Sequence, residues 1–339
     1  MRTHPLKRGV PLVTISLLTA VLAMVAAPFV GPTPLSMRDV FSATQPFADN
    51  MDAQIFFLAR LPRALAAGLV GGTLATAGVV FQALLRNPLA TPYTLGISAG
   101  ASLGAMVAIT FGAAIPLGLP FGGVTGASLA GAGLAVLVVY ALASARHSGL
   151  STTVLLLAGV TMNAFFSALI LFVQYLSDFT ETFRALRWLM GDLDVAGYQP
   201  ILAALPLVVL ALLAFSWLAR PLNLMTLGAN AAATRGVDVV RSQRVAFFAG
   251  SLATGGAVSV GGPIGFVGII VPHLVRLVVG ADHRVVLPAS FGVGATFLVA
   301  CDVLARTVMS PLELPVGIIT ALIGGPFFLY MLISRTRAI

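Results

Sequence analysis

The sequence predicts an all-α integral membrane protein with about ten transmembrane helices and both termini in the cytoplasm. Three observations carry this prediction. Only 9% of the 339 residues are charged, 58% are hydrophobic, and the mean hydropathy is +1.02. A soluble domain carries about 25% charged residues, so this chain cannot cover a water-facing surface of its size. Apolar runs of the ~20 residues needed to cross a bilayer recur along the whole chain. The basic residues, finally, are distributed unequally between the segments that join those runs.

The spans follow in order. Residues 10–31 come after Arg2, Lys7 and Arg8, a pattern shared with signal peptides. The run is longer than a signal-peptide core, and Pro28 follows Ala26-Ala27 where cleavage would fall, so it reads as an uncleaved first span. An outer loop, 32–61, is rich in Pro, Asp and Asn. The second span, 62–84, opens on Pro62, a residue suited to the first turn of a helix. The connection to span 93–111 contains Asn87-Pro88 and Thr91-Pro92, and each proline forces extended backbone before it. Spans 121–143 and 152–176 come next, then an outer segment, 177–198, with an amphipathic pattern in Phe183, Leu186, Leu189 and Met190. After span 199–219 lies a cytoplasmic segment, 220–243. Ala231, Ala232 and Ala233 favour helix there and the glycines punctuate it, which predicts two short helices with a bend between them. Spans 244–261 and 264–280 are short, with Gly261, Gly262, Pro263 and Gly265 breaking the apolar run. Spans 286–307 and 314–334 complete a single polytopic membrane domain over 1–339.

Charge orients the bundle. With the N-terminus inside, the inner segments hold thirteen basic residues: Arg2, Lys7, Arg8, Arg86, Arg146, Arg220, Arg235, Arg241, Arg244, Arg276, Arg284, Arg335 and Arg337. The outer segments hold six: Arg38, Arg60, Arg63, Arg184, Arg187 and Arg306. Of the acidic residues only Asp238 and Asp282 lie inside, eight lie outside and Asp302 falls within a span. This is the positive-inside distribution, and it favours ten spans over nine, which would leave Arg335 and Arg337 outside. It also accounts for the net charge of +8 without nucleic acid as a partner.

Composition excludes other classes. Lys7 is the only lysine, so the chain has no P-loop of its own, and any ATP that drives it is bound by another polypeptide. A single cysteine, Cys301, permits no internal disulfide. The histidines His4, His147, His273 and His283 lack metal-ligand spacing, and no metal site is expected. Glycines four apart, at Gly68/Gly72, Gly96/Gly100/Gly104, Gly122/Gly126 and Gly261/Gly265, predict close helix packing, since lipid supplies no hydrophobic drive between helices.

Few residues stand out for chemistry. The RLPR stretch, Arg60 to Arg63, fits arginines snorkelling to headgroups or a pair of docking charges for an acidic partner outside. The Gln82–Gly100 stretch fits a tight connection or a rigid loop lining an aqueous path. The 220–243 segment carries exposed apolar residues and few charges, which points to a partner surface. Asp302 is an intramembrane carboxylate with Arg306 at i+4, so an ion pair, local or between helices, is favoured over a proton relay. Glu313 reads as a first-turn acid favoured by the helix dipole, and His273 as hydrogen-bonded structure. A secondary transporter of small solutes, coupled to ions or protons, is the alternative reading, but it needs coupling groups near the midplane and only Asp302 is offered. No polar cluster suggests an enzyme.

Taken together, RLPRALAAGLVGG, RNPLATPYTLGISAGASLG, LSTTVLLLAGV, LGANAAATRGV, GPIGFVGIIVPHLVR with DHR after it, and ELPVGIITALIGGPFFLYML resemble one family, in order and spacing from 60 to 334. It is the permease subunits of ABC importers for iron-siderophores, haem and cobalamin. The resemblance implies ten helices per subunit, a second permease subunit (a homodimer being the simpler choice), two cytoplasmic ATPases that hold ATP and Mg, and a periplasmic or lipid-anchored binding protein. It implies a multi-pass protein of the inner membrane of a bacterium or archaeon, in contact with lipid, and no cofactor on this chain. It matches Arg60, Arg63 and Arg306 to outer arginines that meet acidic residues of the binding protein. Leu227, Gly228, Ala232, Arg235, Gly236 and Val237 match the segment that couples to the ATPase. Asn87, Leu89, Ser151 and Thr152 match positions narrowing the cytoplasmic end of the pathway, and 177–198 matches a short helix at the outer gate.

Overall fold

A computed structural model describes residues 5–42, 46–112, 123–145, 150–195 and 197–336. Arg2, Arg146 and Arg337 of the charge count, His4, His147, Gly122 and the start of the expected span 121–143 lie outside these residues.

Ten helices correspond to the ten expected spans: α1 (Pro5–Ala26), α2 (Leu61–Leu84), α3 (Ile97–Phe111), α4 (Val124–Ser144), α5 (Thr152–Leu176), α6 (Gln199–Met225), α7 (Val239–Gly261), α8 (Val267–Val279), α9 (His283–Thr307) and α10 (Val316–Thr336). No strand occurs among the described residues. α2 is the hub, with twenty of its 24 residues buried and packed on α1, α6, α7, α8 and α9. A helix so enclosed can be apolar nearly all round, and this one is, apart from Arg63, Thr73, Thr76 and Gln82. α3, α4 and α5 form a second group, joined to the first mainly through α7.

Close approach through small residues holds these helices together. A Cβ at Gly78 would stand 2.1 Å from the Gly268 carbonyl oxygen of α8, and one at Gly71 would stand 2.3 Å from that of Gly294 in α9. The expected stripe Gly100/Gly104 faces Gly131 and Ala127 of α4, where a Cβ on Gly104 would reach within 2.0 Å of the Ala127 carbonyl. Gly68 and Gly72 lie against Met24 and Phe291, and Gly261 against Leu193, whereas Gly265 opens on free space.

The elements differ from the sequence reading in four places. The helix of the second span starts at Met51, not Pro62, and runs through a π-helical stretch, Ile55–Arg60, directly into α2. Pro62 lacks an N–H and its ring crowds the carbonyl four residues back, and the wider π turn accommodates both. α6 and α7 extend into the 220–243 segment, which holds one short helix, Ala229–Ala233, instead of two. Thr234 to Gly236 form a turn, with Gly236 at φ 80°. The 93–111 span is helical only from Ile97, since Pro92–Leu95 form a 3-10 turn.

The fourth difference is the start of α8, Val267 instead of 264, after the break that Gly261, Gly262, Pro263 and Gly265 mark in sequence. That helix has 13 residues, about 20 Å at 1.5 Å per residue, against a hydrocarbon core of ~30 Å. Gly261 lies beside Val70 and Gly268 beside Gly78. Eight helical residues separate Val70 from Gly78, so the non-helical Gly262–Phe266 descends about 12 Å within the membrane. Such backbone is tolerated where protein buries it. Ile264 is fully buried and its carbonyl accepts from the Tyr93 hydroxyl at 2.5 Å. A side chain at Gly262 (φ 67°) would strike the Trp188 carbonyl, 2.4 Å away.

Candidate functional site: an outer arginine cluster and a cytoplasmic knob

The outer end of the bundle brings together Arg60 and Arg63, Asp302 and Arg306 from α9, and Glu313 before α10. Arg63 donates from Nε to Asp302 Oδ1 at 2.8 Å and from Nη1 to Glu313 Oε2 at 2.5 Å. Arg306 Nε lies 3.1 Å from Asp302 Oδ2, across one turn of α9. The expected Asp302–Arg306 pair thus forms, and Arg63 makes it interhelical as well. Glu313 sits three residues before α10 and serves Arg63, not the first turn assigned to it from sequence.

Three guanidiniums face two carboxylates, and backbone supplies the remaining acceptors. Arg306 donates to the carbonyls of Val30 (3.1 Å) and Ala27 (3.3 Å); Arg60 donates to those of Pro28 (3.2 Å) and Thr33 (2.5 Å). Most of these carbonyls end α1 and its terminal 3-10 turn, where helix acceptors lack partners and the dipole is negative. The arginines therefore cap the C-terminal end of α1. The relative exposures of Arg60, Arg63 and Arg306 are 6, 7 and 2%. All three lie together at the outer end, as expected, but their charged groups turn inward. At the rim of the cluster Glu313 keeps 33% of its side chain exposed.

The expected inner-gate residues lie on the loop after α2 and at the start of α5. Asn87 closes an Asx turn by accepting from the Leu89 N–H at 2.9 Å, and Leu89 is exposed. Ser151 caps α5, accepting from Val154 N at 3.4 Å, with Thr152 beside it. The loop joins α5 by packing Thr94 and Leu95 on Gly159. Gln82, unremarkable in sequence, donates to the Gly268 carbonyl at 3.0 Å and accepts from Arg276, so it pins the start of α8 to α2.

The segment expected to couple to an ATPase, Leu227–Val237, folds into a compact knob. Gly228, at φ 109°, starts the helix Ala229–Ala233, and Ala232 is wholly buried beneath it. The Ala232 carbonyl accepts from Arg235 N and Val237 N, both at 3.1 Å, which folds the chain back into α7. Leu227, Arg235 and Gly236 are exposed. At the base of the knob, Asn223 Nδ2 donates to Asp282 Oδ1 at 2.6 Å, and Asn223 Oδ1 accepts from His283 N at 2.9 Å. Asp282 caps α9, so one asparagine fastens the knob's root to the helix that carries Asp302 and Arg306 at its other end. Nothing in the local sequence around Asn223 marks this link, because its partners lie about sixty residues on.

Ten helices, six of them long and apolar enough to cross a membrane, packed about the buried α2 define a multi-pass membrane protein. The chain belongs to the FecCD transport family, which matches residues 17–334. It is 45% identical over 276 residues to the cobalamin import system permease protein BtuC of Halobacterium salinarum, covering 81% of this chain and 72% of that one. With the hemin transport system permease protein HmuU of Yersinia pestis the identity is 37%, over 94% of both chains. The fold is similar, with a TM-score of 0.81 and 32% identity, to the inward-facing structure of a metal-chelate type ABC transporter, covering 95% of this chain and 98% of that one.

Proposed function

We propose that this chain is half of the membrane path of an ATP-driven importer that takes an iron chelate, haem or cobalamin from a binding protein into the cytoplasm. A ferric siderophore is the substrate favoured. The observation that carries the reading is the knob Leu227–Val237, an exposed apolar and basic surface at the cytoplasmic end of α6 and α7 that a channel or a proton-coupled carrier has no use for. The relatives named for cobalamin and hemin import support the substrate class. The proton-coupled alternative loses its one candidate, since Asp302 is held between two arginines.

A second copy of the chain completes the path. α5 exposes Thr161, Asn163 and Ser167 in mid-span, among exposed Leu157, Val160 and Phe165. Amide and hydroxyl groups facing lipid are costly, so this face fits another subunit or a watery path. A wide, weakly interacting path suits a bulky chelate. Asn87, Leu89, Ser151 and Thr152 narrow its inner end. Two ATPases seat the knobs, with ATP and Mg bound there and no cofactor on this chain. A periplasmic or lipid-anchored binding protein docks at the outer end of Arg60, Arg63 and Arg306. Charges at this end, the three arginines with Asp302, Glu313 and nearby Asp52, meet charged residues of the binding protein, which sets docking register more than affinity. The assembly sits in the inner membrane of a bacterium or archaeon.

Movement of the knob reaches the outer end through α9, which spans about 37 Å at 1.5 Å per residue. The Asn223–Asp282–His283 contacts grip its inner end and the arginine cluster its outer end. Leu227→Glu tests the reading. The exposed site should leave helical content unchanged while co-purification of the ATPase and ATP-dependent uptake both fall by at least about tenfold, the loss expected of a central interface anchor. Full ATPase retention by this variant would remove the knob from the coupling role.

A further inference from the structure

Away from the face that α5 exposes, α4 and α6 wall a groove of about 690 Å³ whose floor is α7. Its lining is apolar along the membrane depth, from Leu129 and Leu137 on one wall to Leu207 and Leu210 on the other. The floor's hydroxyl, Ser251, is spent on the Phe247 carbonyl at 2.7 Å. At the cytoplasmic end stands Arg244, exposed and in no ion pair among the described residues. The floor runs from Arg244 to Gly255, eleven residues or about 16 Å, close to the ~15 Å of one leaflet's hydrocarbon.

Depth is fixed independently. One turn before Arg244, the Arg241 guanidinium lies 5.7 Å from the ring centre of Trp217, a half-exposed residue of the kind that marks the membrane–water boundary. Arg244 therefore lies at headgroup level, with only hydrocarbon-like surface beyond it. Arg220 and Arg241 line a neighbouring cavity and add positive charge at the same level. The occupant that matches is one with a single anionic end and a long apolar body.

We propose that this groove binds an anionic phospholipid of the inner leaflet, with an acyl chain between α4 and α6 and the phosphate on Arg244. Basic pockets between transmembrane helices on the cytoplasmic side are suited to such headgroups. A second protein copy fits less well, because the groove offers no unsatisfied polar group in mid-span, unlike the exposed face of α5.

The test uses the delipidated full-length chain in detergent, titrated with phosphatidylglycerol bearing sixteen-carbon acyl chains and read by native mass spectrometry. Arg244→Gln should weaken binding about fivefold, the contribution of one arginine near a lipid phosphate. Gly133 lines the groove, and a side chain there enters open space, so Gly133→Leu occupies the groove without a clash and gains helix propensity. It too should weaken binding, while Arg86→Gln, in the loop after α2, should not. Phosphatidylcholine should bind more weakly than phosphatidylglycerol, and glycerol 3-phosphate should not compete. Unchanged binding in either groove variant overturns the proposal. So does equal binding of phosphatidylcholine, competition by glycerol 3-phosphate (a free-anion site), or a disulfide between two copies carrying Gly133→Cys (a protein interface).

Discussion

Asp302 is the residue on which the outer end turns. Its carboxylate is 1% exposed and lies within 3.1 Å of two guanidiniums. Removing one member of a buried ion network leaves charge without compensation, at a cost of about 3–5 kcal/mol. Asp302→Ala should lower the unfolding temperature of the purified protein sharply. The apolar triple Arg63→Met, Asp302→Leu, Arg306→Met should recover most of that loss, and a triple as unstable as the single variant would show that the ions are worth more than their desolvation. Arg60 has no carboxylate within 4.0 Å among the described residues but donates to the Pro28 and Thr33 carbonyls, so Arg60→Gln, which removes the charge and keeps a donor, separates docking from folding. It should weaken capture of the binding protein while two-chain assembly persists; undiminished capture would end the docking role. The i,i+4 spacing made Asp302–Arg306 visible in sequence. Arg63 and Glu313 were not, because they reach the cluster across 239 and 250 residues of intervening chain.

At the scale of elements, the ten spans were legible because lipid demands continuous apolar runs, a signal that needs no tertiary information. The expected orientation rests on a similar local signal, since loop charge needs no tertiary information. The π stretch at Ile55–Arg60 was not, because it continues a helix that the polar residues of 32–61 hid. Glycine spacing marked Gly100 and Gly104 for close packing but could not name α4, or its Gly131, as their partner. Gly104→Val checks that contact. Its Cβ would press on the Ala127 carbonyl 2.0 Å away, and overpacking of this kind costs about 1–3 kcal/mol. A thermal unfolding scan should show a clear drop, and an unchanged midpoint would mean that α3 and α4 separate freely.

For the whole molecule, the contacts supply the lever that the proposed function needs. The knob, Asn223, α9 and the arginine cluster form one connected line from the cytoplasmic face to the outer end. The two ends were each marked in sequence, by LGANAAATRGV and by RLPR, but the connection between them lies in tertiary contacts alone. The most direct measurement is uptake into vesicles that contain this chain with its ATPase, supplied with its binding protein and labelled ferric siderophore, haem or cobalamin. ATP-dependent accumulation of one of the three is expected, with the ferric siderophore favoured, and none when the binding protein is omitted. Accumulation driven by a proton gradient without ATP, or failure of the chain to retain any ATPase, would contradict the proposed function.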